Sequence, residues 1–85
     1  MVTKRVEIQL ANGLEARPVA MLVQVASQHD CTIYIQSAGK RVNAKSIMGM
    51  MTLGLANGES VEVIAEGADE EAAIESIEKF LGGEQ

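Results

Sequence analysis

Cysteine, proline, histidine and aromatic residues are almost absent from this chain of 85 residues. It has one cysteine, one proline, one histidine, one tyrosine, one phenylalanine and no tryptophan. A single cysteine excludes an intramolecular disulfide framework and favours a reducing compartment. Two aromatic side chains are too few for a base-stacking surface. Seven basic against twelve acidic residues give a formal charge of −5. We therefore expect no direct contact with nucleic acid.

Long apolar runs are also missing. No stretch approaches the roughly 20 apolar residues of a membrane span. Lys4 and Arg5 interrupt the apolar pattern at the N-terminus, where a signal peptide would be continuous. We therefore expect a cytoplasmic protein without a membrane partner. The apolar fraction of 47% is sufficient for one packed core, which predicts one small domain over residues 1–85.

Residues for catalysis at an independent active site are not apparent in the sequence. It shows no cluster with metal-ligand spacing, no nucleophile paired with a base, and no glycine-rich nucleotide loop. His29 lacks a flanking arginine or glycine-rich loop, so it is predicted to be a surface or cap residue. Cys31 has no visible partner base and is predicted to be a small buried residue. We expect no enzyme activity, no metal and no cofactor.

The spacing of apolar residues predicts the element order β-α-β-β-α-β-α. Period-two alternation from Val2 to Leu10 predicts a strand ended by Asn12-Gly13. Helical spacing follows, with Pro18 in the first turn, and a later short helix is predicted to carry Leu53. The other elements are separated by turn and cap residues: Ser37-Ala38-Gly39, Ser46, Gly54, Asn57-Gly58, Asp69 and Gly82-Gly83. This order predicts an α+β fold with a four-stranded antiparallel sheet covered on one face by three helices.

Two short segments resemble the two functional sites of the bacterial HPr family. Residues 13–18 (Gly-Leu-Glu-Ala-Arg-Pro) are similar to the family's active-site loop. Residues 43–49 (Asn-Ala-Lys-Ser-Ile-Met-Gly) are similar to its regulatory site. The spacing of these segments, the chain length, the Asn57-Gly58 turn and the element order extend the resemblance to the whole chain. It implies the HPr-like open-faced β-sandwich.

Glu15 stands where the phosphocarriers of this family have their phosphorylated histidine, although Arg17 and Pro18 are retained. In those proteins a phosphoryl group passes from phosphoenolpyruvate through Enzyme I to the imidazole, and then to a sugar-specific transport component. Without the imidazole we expect no histidine phosphotransfer and assign no catalytic residue. Four interpretations of Glu15 stay open: a helix-start carboxylate paired with Arg17, a permanent mimic of phosphohistidine, an acyl-phosphate acceptor, or an engineered His-to-Glu replacement.

Ser46 is the candidate regulatory residue. A serine before a short helix is a common N-cap. The resemblance implies that HPr kinase/phosphorylase of Gram-positive bacteria phosphorylates it. The two roles are compatible, because backbone N–H groups that bind the hydroxyl can also bind a phosphate.

Ile47, Met48 and Met51 recur at helical spacing after Ser46, a pattern that fits either the core or the surface. The resemblance implies that they are partly exposed and form a docking patch. It also implies that Arg17 and Lys45, beside the two signature segments, take part in binding the phosphate or a partner.

The resemblance predicts a regulatory protein of the phosphotransferase and carbon catabolite system. Within the family, homologues dedicated to catabolite repression also lack the histidine but carry glutamine there. Phosphorylated on Ser46, such a protein binds a LacI-type catabolite control repressor and strengthens its hold on DNA. The alternative is a phosphocarrier in which Glu15 replaces or mimics phosphohistidine, with Enzyme I and sugar-specific transport components as partners. A third interpretation is a binding module that engages transporters or glycolytic enzymes as such a mimic.

Overall fold

An antiparallel sheet with three helices on one face confirms the predicted α+β fold. The computed structural model describes residues 1–11 and 16–82. Within those residues the strands are β1 (Val2–Glu7), β2 (Thr32–Ser37), β3 (Lys40–Asn43) and β4 (Ser60–Glu66). The helices are α1 (Ala16–Ser27), α2 (Ile47–Met51) and α3 (Glu70–Leu81). None of these helices is long and apolar enough to cross a bilayer.

The sheet has the strand order β1-β4-β2-β3, with every neighbouring pair antiparallel. Val63 of β4 lies opposite Ile35 of β2, and both side chains are fully buried beneath the helices. The next residue of β4, in the N-terminal direction, is Glu62, which lies opposite Arg5 of β1, and both are exposed. Because successive side chains of a strand point to opposite faces, the helices cover one face and leave the other to solvent.

The core lies between the sheet and the apolar stripes of α1 and α3. Val19, Leu22 and Ala26 of α1 are fully buried at the spacing of one helix face. The stripe predicted for α3 is buried as a whole: Ala73, Ile74, Ile77, Phe80 and Leu81. The two long helices pack against each other, and α2 packs against α1.

The first strand is shorter than the alternation predicts. β1 ends at Glu7, whereas the pattern continues to Leu10. The physical reason is a change of hydrogen-bond partner, because the Gln9 amide donates to the carbonyl of Leu81 at the end of α3, 2.7 Å away. This contact takes the backbone out of the sheet while the alternation of apolar side chains continues. The predicted stop at Asn12-Gly13 lies outside the described residues.

The short helix also ends earlier than predicted. α2 stops at Met51, so Leu53 lies beyond it. The amides of Thr52 and Leu53 donate to the carbonyls of Gly49 and Met50, each at 3.2 Å. Such i to i+3 bonds tighten the chain into a turn and terminate the α-helix.

Candidate functional site

Ser46 is the N-cap of α2, as its position in the sequence predicts. Its backbone is extended, with φ −112° and ψ 113°, and its Oγ accepts a hydrogen bond from the Gly49 amide at 3.2 Å. Its carbonyl accepts from the Met50 amide at 3.0 Å, which begins the helical ladder. The hydroxyl thus satisfies one of the amides that a helix start leaves without an intrahelical partner. The residue is half-buried, at the boundary between protein and solvent.

The backbone before Ser46 is held by Asn43 at the end of β3. The Asn43 side-chain oxygen accepts from the Lys45 amide at 2.8 Å, and its carbonyl accepts from the Ser46 amide at 3.0 Å. Such a local side-chain bond is typical of a turn that begins with asparagine. Ala44 is fully buried, and its amide donates to the carbonyl of Ile33 at 2.9 Å. The serine is therefore presented by an ordered turn.

Three large apolar side chains of α2 face solvent, as the resemblance implies. Met48 is 83% exposed, Ile47 50% and Met51 44%. We call these three residues the apolar patch. Met50, in the same helix, is fully buried and anchors α2 to the core. Exposed, adaptable methionine side chains are characteristic of surfaces that bind other proteins.

Lys45 does not lie within the apolar patch. Its Nζ donates to the carbonyl of His29, just beyond α1, at 2.7 Å, and the residue is half-buried. A cation is favoured at this end of a helix, where the dipole is negative. No local sequence signal indicates this contact, because the two residues belong to different connections between elements.

Arg17 is exposed in the first turn of α1, and Pro18 follows it in the same turn, as predicted. α1 packs against α2, the helix that Ser46 caps. Glu15, the residue at the family's phosphohistidine position, lies outside the described residues.

His29 lies at the C-terminal end of α1, where its amide donates to the carbonyl of Ala26 at 3.2 Å, a position that fits the predicted cap residue. Its side chain is only 14% exposed and joins the end of α1 to α3. Nδ1 lies 3.3 Å from Oδ2 of Asp69, and Nε2 lies 3.2 Å from Oγ of Ser76. Residues forty or more positions apart make these bonds, so no local pattern in the sequence indicates them.

Asp69 completes this contact between the end of α1 and α3, which we call the His29 junction (His29, Asp69 and Ser76). Its carboxylate accepts hydrogen bonds from the amides of Asp30 and Cys31, each at 3.0 Å. Desolvation pushes the pKa of Asp69 upward, but the bonds from the Asp30 amide and from the Cys31 thiol and amide outweigh it and lower that pKa to about 2. Burial, followed by the neighbouring Asp69, raises the pKa of the Cys31 thiol. Cys31 is buried, as predicted. Among the described residues, no group of three or more histidine, cysteine or acidic side chains is placed to hold a metal ion.

The open-faced sandwich and a capping serine beside an exposed apolar patch together define an HPr-like protein. Residues 2–82 match the family model described as the phosphorylation site of the HPr component of the phosphotransferase system. The chain belongs to this HPr family. The family resemblance and the fold inferred from the sequence are thus both confirmed.

Relatives cover nearly the whole chain. It is 47% identical to the HPr-like protein Crh of Halalkalibacterium halodurans over 81 residues, 95% of this chain and 96% of the relative. It is 43% identical to the HPr-like protein Crh of Bacillus subtilis, over 95% of each chain. The crystal structure of the phosphocarrier protein HPr from Bacillus anthracis superposes with a TM-score of 0.92 at 45% identity, covering 94% of this chain and 95% of that one.

Proposed function

We propose that this protein is a regulatory member of the HPr family, phosphorylated on Ser46 by an HPr kinase/phosphorylase. Once phosphorylated, it binds a LacI-type catabolite control repressor. The observation that carries the proposal is the position of the Ser46 hydroxyl, on the cap of α2, directly before a helix whose Met48 is 83% exposed. We place the protein in the cytoplasm, where these partners act.

Phosphoryl transfer from ATP to Ser46 requires only the serine hydroxyl of this chain as the attacking group. Oγ of Ser46 attacks the γ-phosphorus of ATP, the bond to the β,γ-bridging oxygen breaks, ADP leaves, and the hydroxyl proton passes to a base of the kinase. The product carries about −1.5 to −2 additional charge at this position. The Gly49 amide, which now donates to the hydroxyl at 3.2 Å, is available to a phosphate oxygen. The fold therefore tolerates the modification.

The repressor would recognise three features together. The phosphate supplies charge, the apolar patch supplies desolvated contact area, and the exposed Arg17 supplies a second charged contact. Similarity to Crh proteins supports this assignment, since the B. subtilis protein is described as the catabolite repression HPr. The glutamate at position 15 supports a protein that regulates without carrying phosphate on histidine.

Intact-mass measurement with phosphosite mapping tests the modification. Incubation with HPr kinase/phosphorylase and ATP should add one phosphate, on Ser46, and the Ser46→Ala variant should gain none. Ser27→Ala is the matched control, because Ser27 is an exposed serine at the end of α1, outside the segment that resembles the regulatory site. Phosphate on any other residue, or none, would contradict the proposal.

A second incubation, with Enzyme I and phosphoenolpyruvate, separates the regulatory protein from a phosphocarrier. We expect no label. Label on Glu15 would establish the phosphocarrier alternative, and the acyl phosphate would be recognised by its release with hydroxylamine. Label on His29 would instead require the His29 junction to open.

Titration calorimetry with the repressor tests the docking surface. Met48→Ala should weaken binding of the phosphorylated protein by roughly tenfold or more, as expected for an exposed anchor at the centre of an interface. Met21→Ala is the control, since Met21 is 41% exposed but borders a groove between α1 and α3. Equal loss in both variants would argue against the apolar patch as the specific contact.

A further inference from the structure

We infer that Lys45 is a positioning residue for the phosphorylation of Ser46, rather than a ligand of the phosphate. Its ammonium holds the turn that presents Ser46 against the end of α1, through the 2.7 Å bond to the carbonyl of His29. The inference rests on the proposed function and concerns how the same site is kept in order.

The other hydrogen bonds of this turn join residues that are close in sequence. Asn43 bonds the amides of Lys45 and Ser46, and Oγ of Ser46 bonds the amide of Gly49. The Lys45 side chain instead reaches a residue sixteen positions away, on a different connection. A bond of this kind fixes the turn relative to the core, whereas the local bonds fix only its internal shape.

The acceptor of this bond is itself well anchored. The His29 ring is bonded on one nitrogen by Asp69 and on the other by Ser76 of α3. Asp69 also holds the two following amides, of Asp30 and Cys31. The carbonyl to which Lys45 donates is therefore fixed by α3, and a hydrogen bond from a charged ammonium is stronger than one from a neutral donor.

Positioning matters because phosphoryl transfer depends on alignment. The attacking oxygen must approach the γ-phosphorus in line, and a displacement of about 1 Å can cost roughly a hundredfold in rate. Kinase binding should depend mainly on the apolar patch, whereas the Lys45 ammonium donates to the carbonyl of His29. Loss of the Lys45 bond should consequently lower kcat more than it changes KM.

Steady-state kinetics of the full chain with HPr kinase/phosphorylase and ATP provide the test. Lys45→Met removes the donor at similar length and should lower kcat about tenfold, with KM within roughly threefold. Lys45→Arg keeps a charged donor and should restore most of the rate. Lys40→Met is the control, because Lys40 donates to the carbonyl of Thr52 at the other end of α2. Its kcat should match that of the wild type.

Variants of the anchor distinguish positioning from direct contact with the kinase. Asp69→Asn loosens the His29 junction without altering Lys45 or the apolar patch, and Ser76→Ala is a milder variant for the case that Asp69→Asn does not fold. Each should lower kcat in the same direction, and each should combine with Lys45→Met less than additively. Full additivity, or wild-type rates in both anchor variants, would show that Lys45 contacts the kinase or ATP itself and would overturn the inference.

A readout without the kinase completes the test. Amide hydrogen exchange at Ser46 and Gly49 should be faster in Lys45→Met than in the wild type and unchanged in Lys40→Met. If wild-type Ser46 is not phosphorylated, the proposed function fails and this inference fails with it. If wild-type Ser46 is phosphorylated and Lys45→Met matches its kcat and its exchange rates, only the positioning role fails.

Discussion

The starts of α2 and α3 use the same kind of position in opposite ways. Ser46 at the start of α2 bonds an amide of its own helix. Asp69 at the start of α3 makes no side-chain cap bond to its own helix and instead bonds the amides of Asp30 and Cys31 and the ring of His29. A cap with local bonds can be modified without disturbing other elements. A cap that joins α3 to the connection between α1 and β2 is structural.

The two helices differ in the same sense in their attachment to the core. α3 has twelve residues and buries five of them, whereas α2 has five residues and buries one, Met50. The remaining large side chains of α2 are left for contacts outside the chain. Substitutions within α2 can therefore change stability and partner binding separately.

The largest effect is expected for Met50→Ala. Removing the fully buried anchor of α2 should lower the free energy of unfolding by about 2–5 kcal/mol, through lost burial and the cavity that remains. Met48→Ala, two residues away and 83% exposed, should change it by less than about 0.5 kcal/mol. Urea unfolding followed by circular dichroism measures both. Similar losses in the two variants would contradict the division between anchor and patch.

Gly67→Ala tests how tightly the chain is packed beside the His29 junction, where residue 67 lies against Cys31. A Cβ at residue 67 would lie 2.6 Å from Cβ of Cys31, and the backbone φ is +149°. The combined clash and strain should cost about 1–3 kcal/mol of unfolding free energy. Gly54→Ala has a φ of +56° but open space around the new methyl, so it should show only the smaller cost of backbone strain. A smaller loss in Gly67→Ala than in Gly54→Ala would mean that the junction is loosely packed.

Asp69→Asn should destabilise the protein in a pH-dependent way. The pKa of Asp69 is lowered from 3.8 to about 2 on folding, so its carboxylate stabilises the fold above about pH 4, and that contribution is lost as the pH falls towards 2. The difference in melting temperature between the wild type and Asp69→Asn should be largest at neutral pH and shrink steadily below pH 4. A difference that does not depend on pH would show that the charge of Asp69 is not what holds the junction.

Ser46→Ala should destabilise the protein less than Met50→Ala, Gly67→Ala or Asp69→Asn. Loss of one local cap bond costs about 1 kcal/mol. Ser46→Asp retains an N-cap acceptor and should recover most of that loss. Thermal unfolding of the two variants, beside Asp69→Asn at neutral pH, compares the local cap with the tertiary one. A loss in Ser46→Ala larger than in Asp69→Asn would reverse the comparison between the two helix starts.

Much of the fold is predictable from the sequence because its signals are local. The burial of the α3 stripe and the capping role of Ser46 follow from spacing and from one residue type at a helix start. The end of β1 is not predictable in this way. Alternation continues to Leu10, but the strand ends at Glu7, and two residues later the Gln9 amide donates to the carbonyl of Leu81 at the end of α3. The predicted end of a strand is wrong where an element distant in sequence competes for a backbone hydrogen bond.

The candidate site divides along the same line. The sequence alone predicts the capping serine and the helical spacing of the apolar residues after it, because a cap and a helical repeat involve neighbours in sequence. The exposure of Met48, the contacts of the half-buried His29 ring and the bond from Lys45 to His29 depend on how α2 and α3 pack against α1. Those bonds join residues 16, 40 and 47 positions apart. Only the assembled tertiary structure decides such contacts, since they form when helix packing brings the partners within hydrogen-bonding distance.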